Sequence, residues 1–301
     1  MLKHHIILGS RGSILALAQT NWVKKQLQRH YPQLTFSIQV IETQGDKDLT
    51  SHFGNSELSL KSFFTKEIEK SLLDGEIDIA VHSMKDVPSS SPVGLICGAI
   101  PVREDVRDVL VSTSGKTLAD LPKGSILGTS SLRRIQNIKQ LRPDLEIKAL
   151  RGNIHTRLKK LEEGHYDAIV LAAAGLKRVG LEEKITEYLN PTVFSPAPAQ
   201  GALYIQCREK DEETRNILQS IHDENLAKIL EIEREFSRIF DGGCHTPMGC
   251  YSKVEGKKIF FHAMYSHKEK SYQTIITESI TKGKEIAIMA AQEIQKMMKQ
   301  K

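Results

Sequence analysis

Three short segments combine arginine with serine, threonine or asparagine where a predicted strand gives way to a predicted helix. They are GSRGS (9–13), GTSSLRR (128–134) and LRGNIHTR (150–157). Unpaired backbone N–H groups and the helix dipole favour anions at such helix starts, which line the ligand crevice of open α/β sheets. Arginines add planar bidentate donors for carboxylate or phosphate. The arginines concerned are Arg11, Arg133, Arg134, Arg151 and Arg157. Five of them at three turns favour a polyanionic ligand.

No nucleotide-binding motif accompanies these turns, since the chain has neither Gly-x-Gly-x-x-Gly nor a P-loop. Aromatic residues make up only 6% of the chain and do not interleave with the arginines, which argues against a single-stranded nucleic-acid surface. The net charge of +5 favours an acidic partner only weakly. We therefore expect a small or oligomeric acid as ligand, and no nucleic acid.

A lysine and an aspartate follow another predicted strand, in HSMKDVPSS (82–90). Lys85 and Asp86 thus fall at the carboxyl end of a strand, where α/β crevices form. An aspartate before Val-Pro is commonly only a turn residue. If Asp86 instead faces the arginine turns, its carboxylate could hold a cationic nitrogen or stabilise a developing carbocation. The residues alone leave both interpretations open.

The segment FDGGCHTPMGC (240–250) places two glycines before a cysteine and a proline after it. Such a run is not an ordinary helix or central strand, and loops of this kind expose a side chain for chemistry or attachment. An inert turn thiol is one alternative for Cys244. A metal site is another, although the spacing of its candidate ligands matches no common zinc pattern, and none is expected. Those candidates are Cys244, His245, Cys250 and His262.

Composition places the chain among globular proteins. It has 301 residues, of which 40% are hydrophobic and 26% charged, enough for two or three domains. No apolar run approaches the length of a membrane span or a secretory signal, so we expect a cytoplasmic protein with no membrane partner. Four cysteines are too few for a disulfide scaffold, and Cys97 and Cys207 lie in apolar segments typical of core thiols.

Hydrophobic periodicity predicts alternating strands and helices. In the first part, strands are predicted at 5–9, 36–43 and 77–83, and helices at 13–29 and 61–73, in a largely parallel sheet. Between them, the polar segment 45–59 is long for a connection and is typical of a lid or binding loop.

A second α/β set follows the turn-rich segment 88–94. Within it, the apolar run 166–178 suits a strand buried on both faces. The segment 194–209 then predicts a strand that returns to the first sheet. A helix at 225–240, the cysteine loop, and a strand, strand, helix unit complete the chain.

Five motifs, taken together, closely resemble the hydroxymethylbilane synthase family, also called the porphobilinogen deaminase family. They are IAVHSMKDVP (79–88), GTSSLRR (128–134), LRGN with TR (150–157), AAAGLKR (172–178) and GGC with T-P-M-G (242–249). Their identity, order and separation all agree with the family. The likeness begins at GSRGSILAL and ends at the cysteine loop, which is most of the chain.

The resemblance implies a fold and an activity. The fold would have two α/β domains like those of type II periplasmic binding proteins, plus a small α+β C-terminal domain. The enzyme would join four porphobilinogen molecules head to tail, releasing ammonia at each addition, and then release hydroxymethylbilane. Growth would start on a dipyrromethane cofactor, thioether-linked to the loop cysteine, here Cys244. A monomer of three domains is implied, with boundaries at 1–100 with 198–220, at 101–197 and at 221–301.

The resemblance also assigns residues. Asp86 would be catalytic, stabilising the azafulvene cation formed when the aminomethyl group leaves as ammonia. The cofactor would be bound by Lys85, Asp86, Thr129, Ser130, Ser131, Arg133, Arg134, Arg151 and Gly152, with Cys244 as the covalent attachment. The substrate would be bound by Arg11, Ser13, Lys61, Phe64, Arg157, Arg178 and Gln200.

This chain departs from the family pattern at several positions. The Gly-Gly-Lys-Gly of the lid region is Ser59, Leu60, Lys61 and Ser62, and the usual Gly-Gln-Gly is Ala199, Gln200 and Gly201. A usual glutamate is Gln206, and a usual glutamine is His245. A solute-binding or sensor protein on the same fold is the main rival interpretation, and it would need neither a third domain nor Cys244.

Overall fold

The structure is a computed structural model, and it describes residues 3–43, 65–88, 90–240 and 246–300. It divides into two compact units. The first is Met1–Arg103 with Ala202–Ala227, and the second is Glu104–Gly201 with Lys228–Lys301. The second unit therefore contains most of two of the predicted domains, and the division into three domains stays a prediction.

Thirteen strands and eight α-helices occur within the described ranges. The strands are β1 (His5–Ser10), β2 (Thr35–Val40), β3 (Ile79–Ser83), β4 (Leu95–Ala99), β5 (Asp108–Ser112), β6 (Ile126–Gly128), β7 (Glu146–Lys148), β8 (Ala168–Ala172), β9 (Glu187–Tyr188), β10 (Leu203–Arg208), β11 (Met248–Glu255), β12 (Lys258–His267) and β13 (Lys270–Ser279). The helices are α1 (Ile14–His30), α2 (Lys66–Leu73), α3 (Leu132–Leu141), α4 (Ile154–Glu162), α5 (Ala173–Arg178), α6 (Glu212–Gln219), α7 (Glu224–Ile239) and α8 (Glu285–Lys299).

The sheet of the first unit has the order β2-β1-β3-β10-β4. The strands β2, β1 and β3 are parallel, whereas β10 runs antiparallel to both β3 and β4. The predicted return of the chain to the first sheet is therefore confirmed. Helix α1 buries Val23 and Leu27, one turn apart, against Ile6 and Leu8 of β1.

The second unit contains a sheet with the same plan, β7-β6-β8-β5-β9. Its strands β7, β6 and β8 are parallel, and β5 is antiparallel to β8 and β9. A three-stranded antiparallel sheet, β11-β12-β13, packs on α8 through a core that includes Phe261, Ile286 and Ala290. Two α/β sheets of one order and a small α+β part confirm the predicted fold class.

Several predicted elements need correction. The run 166–178 is not one strand, because β8 ends at Ala172 and α5 begins at Ala173. An all-apolar run has no period that would distinguish a buried strand from a buried helix, which explains the error. Strand β11 and helix α6 were not predicted. The predicted segment 45–59 lies outside the described residues, as does the start of the predicted helix 61–73.

Within the ranges that the structure describes, no helix combines the length and apolar character needed to cross a bilayer.

Candidate active site

In the first unit, four predicted site residues follow two neighbouring parallel strands. Arg11 and Ser13 come after β1, and Lys85 and Asp86 come after β3, which pairs directly with β1. The carboxyl ends of parallel neighbours meet at one edge of a sheet. The Ser13 hydroxyl caps α1 by accepting the N–H of Ala16 at 3.2 Å. The topology therefore places all four residues at the same edge.

Asp86 ends a short 3-10 turn, Met84–Asp86, directly after the central strand β3. The turn is anchored by the N–H of Met84, which donates to the carbonyl of Ala202 at 2.9 Å, and by the N–H of Val87, which donates to Met84 at 3.2 Å. The Asp86 side chain is only partly buried. A partly buried carboxylate on a fixed backbone at the carboxyl edge of the sheet can accept a hydrogen bond from an N–H group of a ligand.

In the second unit, the remaining described site residues other than Gln200 follow the three parallel strands β7, β6 and β8. Ser130, after β6, bridges to the turn after β7, because its hydroxyl donates to the carbonyl of Leu150 at 3.1 Å and accepts from the Leu150 N–H at 3.0 Å. Thr129 is buried, and its hydroxyl oxygen accepts the N–H of Ser131 at 3.2 Å. Ser131 in turn caps α3. These bonds hold the two arginine-bearing turns together.

The turn after β7 depends on a glycine. Gly152 has a φ of +115°, and a Cβ there would lie 2.7 Å from the Thr156 side chain. Arg157 donates from Nε to the Gly152 carbonyl at 2.7 Å, and Asn153 caps α4. Arg151 is exposed. The backbone thus takes a path that favours glycine, and the exposed residue Arg151 lies two positions before Asn153, which caps the nine-residue helix α4.

Arg133 and Arg134, predicted as ligand donors, are both 6% exposed. Both bind Asp108, the first residue of β5. Arg133 Nη1 lies 2.6 Å from Asp108 Oδ2, and Arg134 Nη2 lies 2.7 Å from Asp108 Oδ1. Gln200 also donates to this carboxylate, at 3.0 Å. Three of the predicted site residues therefore meet at one buried aspartate that the sequence did not single out.

Arg178, at the end of α5, donates from Nη2 to the carbonyl of Gly201 at 2.6 Å. Burial lowers the pKa of Arg178 to about 10, and Glu104 opposes that change. The group remains cationic at neutral pH, since even this lowered pKa lies well above 7.

A family model for the "Porphobilinogen deaminase, dipyromethane cofactor binding domain" matches residues 6–216, and one for the "Porphobilinogen deaminase, C-terminal domain" matches residues 227–300. The chain belongs to the porphobilinogen deaminase family.

Relatives in the porphobilinogen deaminase family align over nearly the whole chain. That of Fusobacterium nucleatum is 68% identical over 293 residues, covering 97% of this chain and 98% of its own. That of Oceanobacillus iheyensis is 49% identical over 276 residues, covering 91% and 88%. Among solved structures, the periplasmic VFT2 domain of BvgS from Bordetella pertussis is 16% identical, covers 75% of this chain and 92% of its own, and has a TM-score of 0.43.

The family's cofactor carries carboxylates, and the residues of the second unit suit such a group. The capped starts of α3 and α4 both belong to helices longer than eight residues, and Arg151, an exposed residue, lies next to one of them in the chain. Positive side chains and helix dipoles at one sheet edge provide what a polycarboxylate needs.

Three porphobilinogen deaminase site predictions, Lys61, Phe64 and Cys244, lie outside the described residues. The other three cysteines are free thiols. Cys207 and Cys250 are buried, and Cys97 is partly buried. Burial raises the pKa of Cys207 to about 11, so this thiol stays protonated. In the described part of the chain, no group of three or more His, Cys, Asp or Glu side chains is placed to hold a metal ion.

Two buried groups near the site were missed from the sequence. One is Asp108, and the other is His82, on β3 four residues before Asp86. Local patterns do not mark Asp108 as buried, because its side-chain partners are distant in sequence. A polar residue inside an otherwise apolar strand was the one available signal for His82.

Proposed function

We propose that Cys244 tethers the dipyrromethane primer through a thioether, and that Asp86 is the catalytic carboxylate of the polymerisation. The reaction of the porphobilinogen deaminase family joins porphobilinogen units, with loss of ammonia, into hydroxymethylbilane in tetrapyrrole biosynthesis. The observation that carries the proposal is the match of both family domains over most of the chain. Bound dipyrromethane would supply the nucleophilic pyrrole carbon to which the first porphobilinogen molecule is added.

The role of Cys244 is supported by elimination among the thiols. Cys207 and Cys250 are buried within cores, and Cys97 lies on the central part of a strand. Cys244 is in the segment between α7 and β11, preceded by Gly242 and Gly243 and followed by His245, Thr246 and Pro247. A sequence rich in glycine and proline is typical of a loop, and a thiol in a loop would be accessible for attachment.

The role of Asp86 follows from its place after the central strand. Loss of ammonia from porphobilinogen leaves a cation delocalised over the pyrrole ring, and a nearby carboxylate stabilises such a charge. Asp86 would hold the pyrrole N–H as charge develops, and would manage the proton released when the next ring is joined. Arg11 and Lys85, at the same edge, would bind the acid side chains of the ring.

The role of the other cationic residues follows from the charge of the product. Each pyrrole carries an acetate and a propionate, and two like charges about 4 Å apart near a protein surface repel by about 4 kcal/mol. A growing chain therefore needs cationic donors at every step. Those proposed for the second unit are Arg133, Arg134, Arg151, Arg157 and Arg178, together with hydroxyls at the helix starts.

Intact mass under denaturing conditions tests the tether. Wild-type protein should carry an increment equal to two linked pyrroles, and Cys244→Ala should carry none. Cys97→Ala is the matched control and should keep the increment. An active wild-type chain of unmodified mass would remove the covalent cofactor from the proposal.

Asp86→Asn tests the catalytic carboxylate. Because the substitution keeps the side-chain shape and removes the charge, the rate of hydroxymethylbilane release should fall at least ~100-fold while the mass increment is retained. Asp74→Asn, at the end of α2, changes the net charge equally and should leave the rate near that of wild type. Release at a normal rate by Asp86→Asn would exclude Asp86 from catalysis.

A cytoplasmic monomer is the remaining part of the proposal. The cytoplasmic location is supported by the reducing environment that a free thiol needs before attachment, and the monomer is what the family resemblance implies. Sedimentation of the purified protein at micromolar concentration should give the mass of one 33.8 kDa chain plus its cofactor.

A further inference from the structure

Asp108 lies at the edge of the second sheet where the predicted ligand donors meet. It begins β5, which runs antiparallel to β8, and it pairs with Ala172 at the carboxyl end of that strand. Its exposure is 0%. A carboxylate is rarely buried so completely unless charged groups pair with it.

Four side-chain hydrogen bonds from arginine and glutamine reach the Asp108 carboxylate. Arg133 donates from Nη1 to Oδ2 at 2.6 Å, and Arg134 donates to Oδ1 from Nε at 3.1 Å and from Nη2 at 2.7 Å. Gln200 donates to Oδ1 at 3.0 Å. Both carboxylate oxygens are therefore used, and the two guanidinium groups are held on either side of one anion.

Backbone carbonyls accept further hydrogen bonds from the same guanidinium groups. Arg133 Nη1 also donates to Ser195 at 2.5 Å, and Arg134 Nη1 donates to Val170 at 2.9 Å. Neither carbonyl carries a formal charge. The two arginines and Asp108 therefore sum to one net positive charge in a buried position at the carboxyl edge of the sheet.

The ionised state of this group is stable. Burial alone would raise the pKa of Asp108, but the charges and hydrogen bonds of Arg133 and Arg134 outweigh it and hold the pKa well below its usual range. Asp108 is thus an anion at any pH at which the enzyme works, and it always offsets one of the two positive charges.

We propose that Asp108 is a positioning residue, which orients Arg133 and Arg134 and leaves their cluster with one net positive charge for a ligand carboxylate. The inference rests on the proposed ligand-binding roles of these two arginines. Two buried guanidinium groups without an internal anion would repel each other and would be drawn to any small anion. With Asp108 between them they keep a fixed geometry and a charge that matches one carboxylate.

Asp108→Asn tests this role, because asparagine keeps the shape, removes the charge and turns an N–H₂ toward one arginine. Two measurements are made on the full chain: the fraction carrying the two-pyrrole mass increment, and the melting temperature with and without 50 mM inorganic phosphate. We expect the loaded fraction to fall at least fivefold. We also expect phosphate to raise the melting temperature of the variant by several degrees more than that of wild type, since the unpaired arginines bind it.

Asp144→Asn is the matched control. It removes the carboxylate from a different arginine–aspartate ion pair of the second unit, in which Arg142 Nη2 lies 2.7 Å from Asp144 Oδ2. A purely structural ion pair has no reason to affect loading or to create a phosphate response, so this variant should behave as wild type in both measurements.

If the single variant does not fold, Asp108→Asn combined with Arg134→Gln provides a second variant. The double substitution removes one charge of each sign, so the buried cluster keeps its net charge. Its loaded fraction should also be low, since Arg133 has lost its anionic partner and Arg134, itself a proposed donor to the ligand, is absent. Full loading together with an unchanged phosphate response, in either variant, would overturn the role of Asp108. Absence of the increment from the wild-type protein would instead overturn the proposed tether.

Discussion

Acidification should destabilise the folded protein through one buried histidine. His82 is 6% exposed on the central strand β3. Its Nε2 lies 3.2 Å from Gln206 Oε1, and Gln206 Nε2 donates to Glu69 Oε1 at 3.3 Å. Burial lowers the pKa of His82 to about 4, the hydrogen bond to Gln206 opposes this change, and the positive charge of Arg11 adds to it.

The sign and size of the effect follow from linkage. The unfolded chain binds a proton at His82 below pH 6.5, whereas the folded chain does so only near pH 4, so stability falls as the pH drops through this window. Between pH 7 and pH 5, this single group should remove about 2 kcal/mol from the free energy of unfolding. Such a loss is a substantial part of the stability of an ordinary domain.

Urea unfolding at pH 7 and pH 5 measures this loss, and His82→Gln isolates it from the titration of the other groups. Glutamine can hydrogen-bond Gln206 but cannot be protonated. The variant should therefore lose about 2 kcal/mol less than wild type between the two pH values. His165→Gln, at an exposed histidine, is the control and should lose as much as wild type. An equal loss in wild type and His82→Gln would refute the reasoning.

Two backbone predictions concern the segment before β10. Ala199 has a φ of +59°, a conformation that costs an L-residue about 1–2 kcal/mol, so Ala199→Gly should raise the free energy of unfolding by about 0.5–1 kcal/mol after the entropy of glycine is subtracted. A lower midpoint in urea would contradict this. Gly201 has a φ of +87°, and a Cβ would lie 2.3 Å from the carbonyl oxygen of Glu104, so Gly201→Ala should cost at least about 2 kcal/mol. If Gly201→Ala had the melting temperature of wild type, the backbone at Gly201 could not lie so close to the Glu104 carbonyl.

The positions of the site residues at the carboxyl ends of strands were predictable, because strands, turns and helices each have a characteristic local sequence pattern. Ser13 and Ser131 precede apolar periodic segments and do cap α1 and α3. The strand before Asp86 alternates and is bounded by a turn. Once two strands are parallel neighbours, their carboxyl ends must share an edge, so the grouping of Arg11 with Asp86 follows from local patterns and one topological rule.

The burial of the arginine pair was not predictable. Arg133 and Arg134 were expected to face a ligand, but their exposure depends on Asp108, which lies about two dozen positions away and looks like any acidic residue in VREDVRDVLVS. Partners so distant in sequence leave no periodic signal. His82 was missed for the same reason, because its environment is set by Gln206 on an antiparallel strand added late in the chain.

Growth of the product on Cys244 is the central claim, and intact mass during a single turnover tests it most directly. After limiting porphobilinogen is added and the reaction is quenched in denaturant, wild-type protein should show up to four further increments above the cofactor mass. Each increment should equal porphobilinogen minus ammonia, and none should occur in Cys244→Ala. Formation of hydroxymethylbilane without increments on the protein, or increments that persist in Cys244→Ala, would contradict the account.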